Sequence, residues 1–374
     1  MESTANEKRR FWSAWCNFLG LNFPKLDPKM RALTPPQRVE LLAAFAHHVR
    51  SGGVSRRTQQ VRTQTVEVAL RAISTMFQMD HEPSPLVTSQ GKYTKKIGQL
   101  LESYRREDPP SKPKLAIPLS VPTYLVLSGL SSNAPKQQTV GNMATIAFHY
   151  LLRGGEYTFV DPKQRRRTKQ FRVCDVTFWN NNTILPHSLP IDVLFREATE
   201  ATLHISNQKN GKRAQTIHQD VTDTPPCPVH ALIRQIKHIL AHTTDTATII
   251  STFFDKKYPK GRALRTGCMT RALQKAVTHL RLDRQGIHPS EVSSHSLRAG
   301  GATAMHLNGI SDRTIQKMGR WSSDTFLIYI HEQIAAFSRG VSKQMGQHVN
   351  FKNIRRTFEP INSPELRIAT TVQN

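Results

Sequence analysis

Glu107-Asp108-Pro109-Pro110-Ser111-Lys112-Pro113-Lys114 constrains this chain more than any other stretch. Proline has no N–H to donate and clashes with the turn before it, so three prolines in this run cannot continue a helix. They predict a stiff, extended linker. The chain of 374 residues is therefore expected to divide into residues 1–112, residues 113–345 and a polar, aperiodic tail over 346–374.

The first part reads as helices only. Phe11, Trp15, Phe18 and Leu19 share one face of a helix over 8–20, which Gly20 can end. Thr34-Pro35-Pro36 starts a second helix, carrying Leu41, Leu42, Phe45 and Val49 and stopping near Ser51-Gly52-Gly53. A third is expected from Ser55 to Met79, with a stripe of Val61, Thr65, Val68, Ala72, Ile73 and Met76 and with Arg56, Arg57 and Arg62 at its start. A fourth covers about 92–106. The second part mixes periods. An apolar helix over Thr139–Leu152 is expected to deliver Arg153, and residues 172–178 alternate like a strand. Asn210-Gly211 between alternating runs predicts a hairpin over 201–218. Helices follow at about 227–241, 266–282, 290–307, 311–317 and 323–335.

Charge narrows the partner. Lys and Arg number 52 against 27 Asp and Glu, a formal charge of +25. The excess is shared: residues 1–112 hold 18 basic and 10 acidic residues, and residues 113–374 hold 34 and 17. Such a field favours a polyanion. Charge alone does not exclude a generic basic or ribosomal protein. No stretch approaches the roughly 20 apolar residues of a membrane span. An N-terminus without an apolar signal core predicts an intracellular protein, nuclear in a eukaryote or cytoplasmic in a prokaryote. Cys16, Cys174, Cys227 and Cys268 form no CxxC pair, which argues against a disulfide framework and a zinc finger and predicts reduced, mostly core thiols. The 16 histidines show no HExxH spacing, so neither metal nor cofactor is expected.

One C-terminal segment carries chemistry. His295-Ser296-Leu297-Arg298 places an imidazole and a guanidinium at i and i+3, on one face of a helix. Gly319-Arg320-Trp321-Ser322-Ser323 and then Tyr329 follow. Arginine binds phosphate oxygens bidentately, and tyrosine can form a covalent intermediate.

With Leu151-Leu152-Arg153-Gly154-Gly155-Glu156 upstream, residues 115–345 resemble the tyrosine recombinase (phage integrase) family. The wording of the motifs is most similar to recombinases of eukaryotic mobile elements such as Cryptons. The resemblance implies a mainly α protein: a four-helix, SAM-like core-binding domain, then an α+β catalytic domain with a small antiparallel sheet. It implies double-stranded DNA as partner and a homo-oligomer, a tetramer in the synapse. Arg153 and Arg298 would clamp the scissile phosphate, with Glu156 in support. Lys209, or Lys212 as runner-up, would protonate the leaving 5′ oxygen. His295 would accept the tyrosine proton or hydrogen-bond the phosphate, and Tyr329 would be the nucleophile.

The family carries His or Trp between Arg298 and the tyrosine. Counting forward from Arg298 reaches Trp321, the favoured residue, whose indole N–H can donate to phosphate. Counting back from Tyr329 reaches Arg320. Each residue also has a plain reading: a helix-end arginine, a turn lysine, a capping histidine, two core aromatics. Lys163-Gln-Arg-Arg-Arg-Thr-Lys169 reads as phosphate contact, import signal or solvated loop. Arg56, Arg57 and Arg62 read as DNA contacts or a charged helix face. The ordered set favours DNA strand transfer. A type IB topoisomerase-like enzyme and a non-catalytic DNA-binding protein are the alternatives.

Overall fold

Aromatic residues three and four positions apart gather the first hundred residues around one core. The computed structural model describes residues 2–55, 59–109, 115–159, 170–205, 215–321 and 327. These fall within a first unit, Met1–Ile330; a second, His331–Asn374, lies outside the described residues, as does the expected boundary at 345.

Helices α1 (Glu2–Asn22), α2 (Pro35–Arg50), α3 (Thr63–Met79) and α4 (Lys95–Glu107) surround Phe11, Trp15, Phe45, Leu70, Ile73 and Phe77, all at most 2% exposed. Fully burying side chains of this size stabilises by roughly 1.5–3 kcal/mol each. The Trp15 indole N–H donates to the Pro28 carbonyl at 3.0 Å, so its one polar atom is satisfied. Three expectations shift. Gly20 does not end α1, which runs on to Asn22. Helix α3 begins at Thr63, not Ser55, because Val61 is tied to α2: its N–H donates to the Arg50 carbonyl at 2.9 Å and its carbonyl accepts from Arg50 Nη1 at 2.6 Å. The buried stripe is accordingly Val66, Leu70, Ile73 and Phe77. Residues 110–114 of the proline-rich run lie outside the described residues, whereas Asp108 is docked on the helical lobe.

A separate core runs from Ile117 to Leu297. Helix α6 (Pro135–His149) is buried over every residue from Thr139 to Phe148, as expected of a helix enclosed on all sides. Helix α5 (Ser120–Leu130), not anticipated, packs on it. After the four-residue α7 (Gly154–Tyr157) the chain forms an antiparallel sheet in the order β2-β1-β3-β4. Its strands are β1 (Val176–Asn180), β2 (Thr183–Leu185), β3 (Glu200–Ile205) and β4 (Gln215–Asp220). Val176 pairs with Leu203 and Leu203 with Ile217, which puts three buried aliphatics in register. The short α8 (Ile191–Glu197) connects β2 to β3.

Helix α9 (Pro228–Leu240) and a small hairpin, β5 (Thr252–Asp255) with β6 (Tyr258–Ala263), precede α10 (Thr266–His279), α11 (His295–Leu307) and α12 (Asp312–Gly319). Gly300 and Gly301 let α11 press against the rest. A Cβ at Gly300 would sit 2.1 Å from the Ile117 carbonyl oxygen, and one at Gly301 2.2 Å from that of Phe148. The fold class is mainly α with a small antiparallel sheet. Of the cysteines only Cys227 is buried and Cys174 is exposed, so the thiols are not mostly core residues. No helix among the described residues is long and apolar enough to cross a membrane.

Candidate nucleic-acid phosphate site

The site forms where α6 stops. The chain leaves α6 at His149, and Leu151 turns through a left-handed conformation, φ +48°. For a non-glycine residue that costs roughly 1–2 kcal/mol. The turn is why α6 does not reach Leu152, and why Arg153 stands before a separate helix, α7, rather than at the end of α6. The Leu151 carbonyl accepts from Arg298 Nη1 and, at 3.1 Å, from Arg320 Nη2.

Glu156 lies one turn beyond Arg153 and is fully enclosed, its side chain 1% exposed. One oxygen accepts from the Arg153 amide at 2.8 Å and from Arg320 Nη2 at 2.8 Å. The other accepts from Arg153 Nη1 at 3.1 Å. Burial works to raise the Glu156 pKa. Arg320 first, then Arg153 through its amide and guanidinium, and Arg298 outweigh it and hold the carboxylate below its ordinary range.

Helix α11 brings the remaining groups. The buried Tyr157 hydroxyl donates to the Ser294 carbonyl at 2.9 Å, fastening the start of α11 to α7. Burial pushes this phenol far above its ordinary pKa, so it remains a donor. His295 opens α11 and is exposed, whereas Arg298, three residues on in the same helix, is buried. Arg298 Nη2 donates to the Gly319 carbonyl, and the guanidinium lies over the Trp321 ring, 4.2 Å from its centroid.

Arg320 ends α12 in a left-handed conformation, φ +58°, and turns inward. Its side chain is 1% exposed and lies in the cluster with Glu156 and the Leu151 carbonyl; Arg153 Nη2 donates to its carbonyl at 3.4 Å. Burial lowers its pKa, against the pull of Glu156. Its Nε and Nη1 are buried and have no hydrogen-bond partner among the described residues. Orphaned buried donors are rare and cost roughly 1–3 kcal/mol each.

Arg153, Glu156, Arg298, Arg320 and Trp321 are thus brought together. Lys209, Lys212, Tyr329, Arg56 and Arg57 lie outside the described residues, and so do the basic run 163–169 and, except for Leu327, the helix expected at 323–335. The described strands β3 and β4 do pair on either side of 206–214, the segment holding both lysines. Arg62 is exposed at the residue before α3. Sequence reasoning missed the Leu151 carbonyl and gave Gly319, though part of the quoted motif, no role of its own. The glycine preceding Arg-Trp was the only available signal, since a main-chain acceptor leaves none. Among the described residues no group of three or more His, Cys, Asp or Glu could hold a metal ion.

No protein-family model and no curated protein matches this chain. Solved structures do. XerH site-specific recombinase bound to palindromic difH substrate, a post-cleavage complex, is similar at 15% identity and a TM-score of 0.48, over 86% of this chain and 76% of that one. Tn1549 transposon integrase in complex with circular intermediate DNA is similar at 13% identity and a TM-score of 0.44, over 81% and 84%. A lambda integrase dimer bound to a COC′ core site is similar at 14% identity and a TM-score of 0.43, over 92% and 91%.

Proposed function

We propose that this chain is a site-specific DNA recombinase that cuts and rejoins duplex DNA through Tyr329. The observation that carries this reading is the cluster of three guanidiniums, Arg153, Arg298 and Arg320, around the single carboxylate of Glu156. One carboxylate cannot balance three such cations, and a phosphate at the partly exposed Arg153 supplies the missing negative charge.

In the reaction, the Tyr329 oxygen attacks phosphorus while Arg153 and Arg298 stabilise the charge that gathers on the non-bridging oxygens. Lys209, with Lys212 as the alternative, gives a proton to the departing 5′ oxygen. His295 takes the tyrosine proton or holds the phosphate; general acid–base help of this kind is worth about 10²–10⁴-fold. The 3′-phosphotyrosine link keeps the energy of the broken bond, so a 5′ hydroxyl can attack it and rejoin the strands without a nucleotide. The helical lobe and the catalytic lobe form a clamp on the duplex, and four protomers assemble on two sites.

A second reading, DNA binding without turnover, is favoured by one observation. Both Arg298 Nη groups donate to main-chain carbonyls. Nicked duplexes tiled across the DNA that flanks the encoding gene separate the two. Wild type is expected to leave an SDS-resistant protein–DNA adduct and Tyr329→Phe none. An undiminished adduct in Tyr329→Phe removes Tyr329 as nucleophile, and duplex binding with no adduct from wild type selects the second reading.

A further inference from the structure

Gly319-Arg320-Trp321 meets Arg298 twice. The Gly319 carbonyl takes Arg298 Nη2 in the guanidinium plane, and the Trp321 ring lies on the guanidinium face. The Leu151 carbonyl takes Nη1, so the cation is bounded on two edges and one face and is 1% exposed. Two backbone features make the return of Trp321 possible. Arg320 is left-handed, and the Arg320 and Trp321 amides donate to the Lys317 and Gln316 carbonyls, both at 3.0 Å. Gly319 leaves room for the ring: a Cβ there would sit 1.6 Å from Trp321 Cζ3 and 2.0 Å from Cε3. No side chain larger than hydrogen fits beneath the indole in this arrangement.

We propose that Trp321 is a positioning residue, whose ring face fixes the plane of Arg298, and not the N–H donor to the phosphate; the assignment rests on the recombinase reading above. The function lies in the aromatic face, so it should survive loss of the indole nitrogen and fail with loss of the ring. Gly319 belongs to the same device, because any Cβ displaces the ring.

The test uses the full chain and those tiled nicked duplexes on which wild type forms an adduct. It measures single-turnover adduct formation at saturating protein and duplex affinity separately. A desolvated cation–π contact of about 2 kcal/mol corresponds to about 30-fold in rate. Trp321→Phe is expected to stay within about threefold of wild type. Trp321→Ala should lose about 30-fold in adduct formation, with duplex affinity changed less than about threefold. Gly319→Ala should match Trp321→Ala, and adding it to Trp321→Ala should cost nothing further. If Trp321→Ala fails to fold, Trp321→His, which keeps an N–H donor on a smaller ring, is set against Trp321→Phe. A competent His variant beside a dead Phe variant assigns the N–H to the phosphate and overturns the proposal. Equal losses in Trp321→Phe and Trp321→Ala also overturn it. Wild type that forms no adduct on any duplex overturns the recombinase reading instead.

Discussion

Burial alone would drive the Glu156 carboxylate toward its protonated form, and the arginines around it reverse that preference. Its folded pKa lies below the ordinary value of 4.5. The stabilisation it provides is therefore fully present above that value and is lost as pH falls through the folded value. Glu156→Gln leaves Arg320 buried without its carboxylate and is expected to cost about 3–5 kcal/mol at neutral pH. The gap between variant and wild type should narrow below about pH 4.5, by at most about 1.4 kcal/mol per pH unit for one proton. Denaturant midpoints measured across that range check both points. A gap that stays constant into the acid range would mean that Glu156 is not the group holding the arginines.

Among the elements, the helical lobe hangs together through the last residue before its proline-rich exit. Asp108 accepts from buried Arg50 at the end of α2 and, at 2.9 Å, from the Thr63 amide at the start of α3. Burial opposes its ionisation, but the bonds from Arg50 and Thr63 take its pKa down to about 2. Asp108→Asn is expected to destabilise the chain by about 1.5–3 kcal/mol, the range for hydrogen bonds to charged groups. Thermal unfolding indistinguishable from wild type would mean that Arg50 is held by its other partners. This contact also marks where sequence reading stops. Thr34-Pro35-Pro36 announced α2 correctly because capping and proline geometry are local. The start of α3 was misplaced because a tertiary bond from Val61 to Arg50 decides it. Strands β5 and β6 were missed because Tyr258-Pro259-Lys260-Gly261 breaks the alternation a strand would show. In the site, the side chains of Arg153, Glu156 and Arg298 were legible as a pattern. The inward turn of Arg320 was not, since a left-handed arginine is imposed by what surrounds it.

For the whole molecule, the shared positive charge makes a claim that requires no knowledge of the target sequence. With both parts of the chain in excess of positive charge, duplex affinity should fall steeply with salt, by about 10³–10⁵ between about 50 and 200 mM if six to ten phosphates are contacted. Arg62→Ala should weaken all sequences alike and flatten the log–log salt slope by about one, as expected for one lost phosphate contact. Titration of an arbitrary duplex at several salt concentrations measures both. A salt-independent affinity would rule out a backbone-tracking mode of binding.

The left-handed turn at Leu151 has one more consequence. The acceptor that spaces Arg298 from Arg320 is a main-chain oxygen, which no codon change can delete. Sequence comparison can register the arginines but not the atom that sets the distance between them. A designer grafting this pair of arginines onto another scaffold would have to carry Tyr150–Leu152 along with it. Without that loop the same side chains would arrive with nothing to hold them apart.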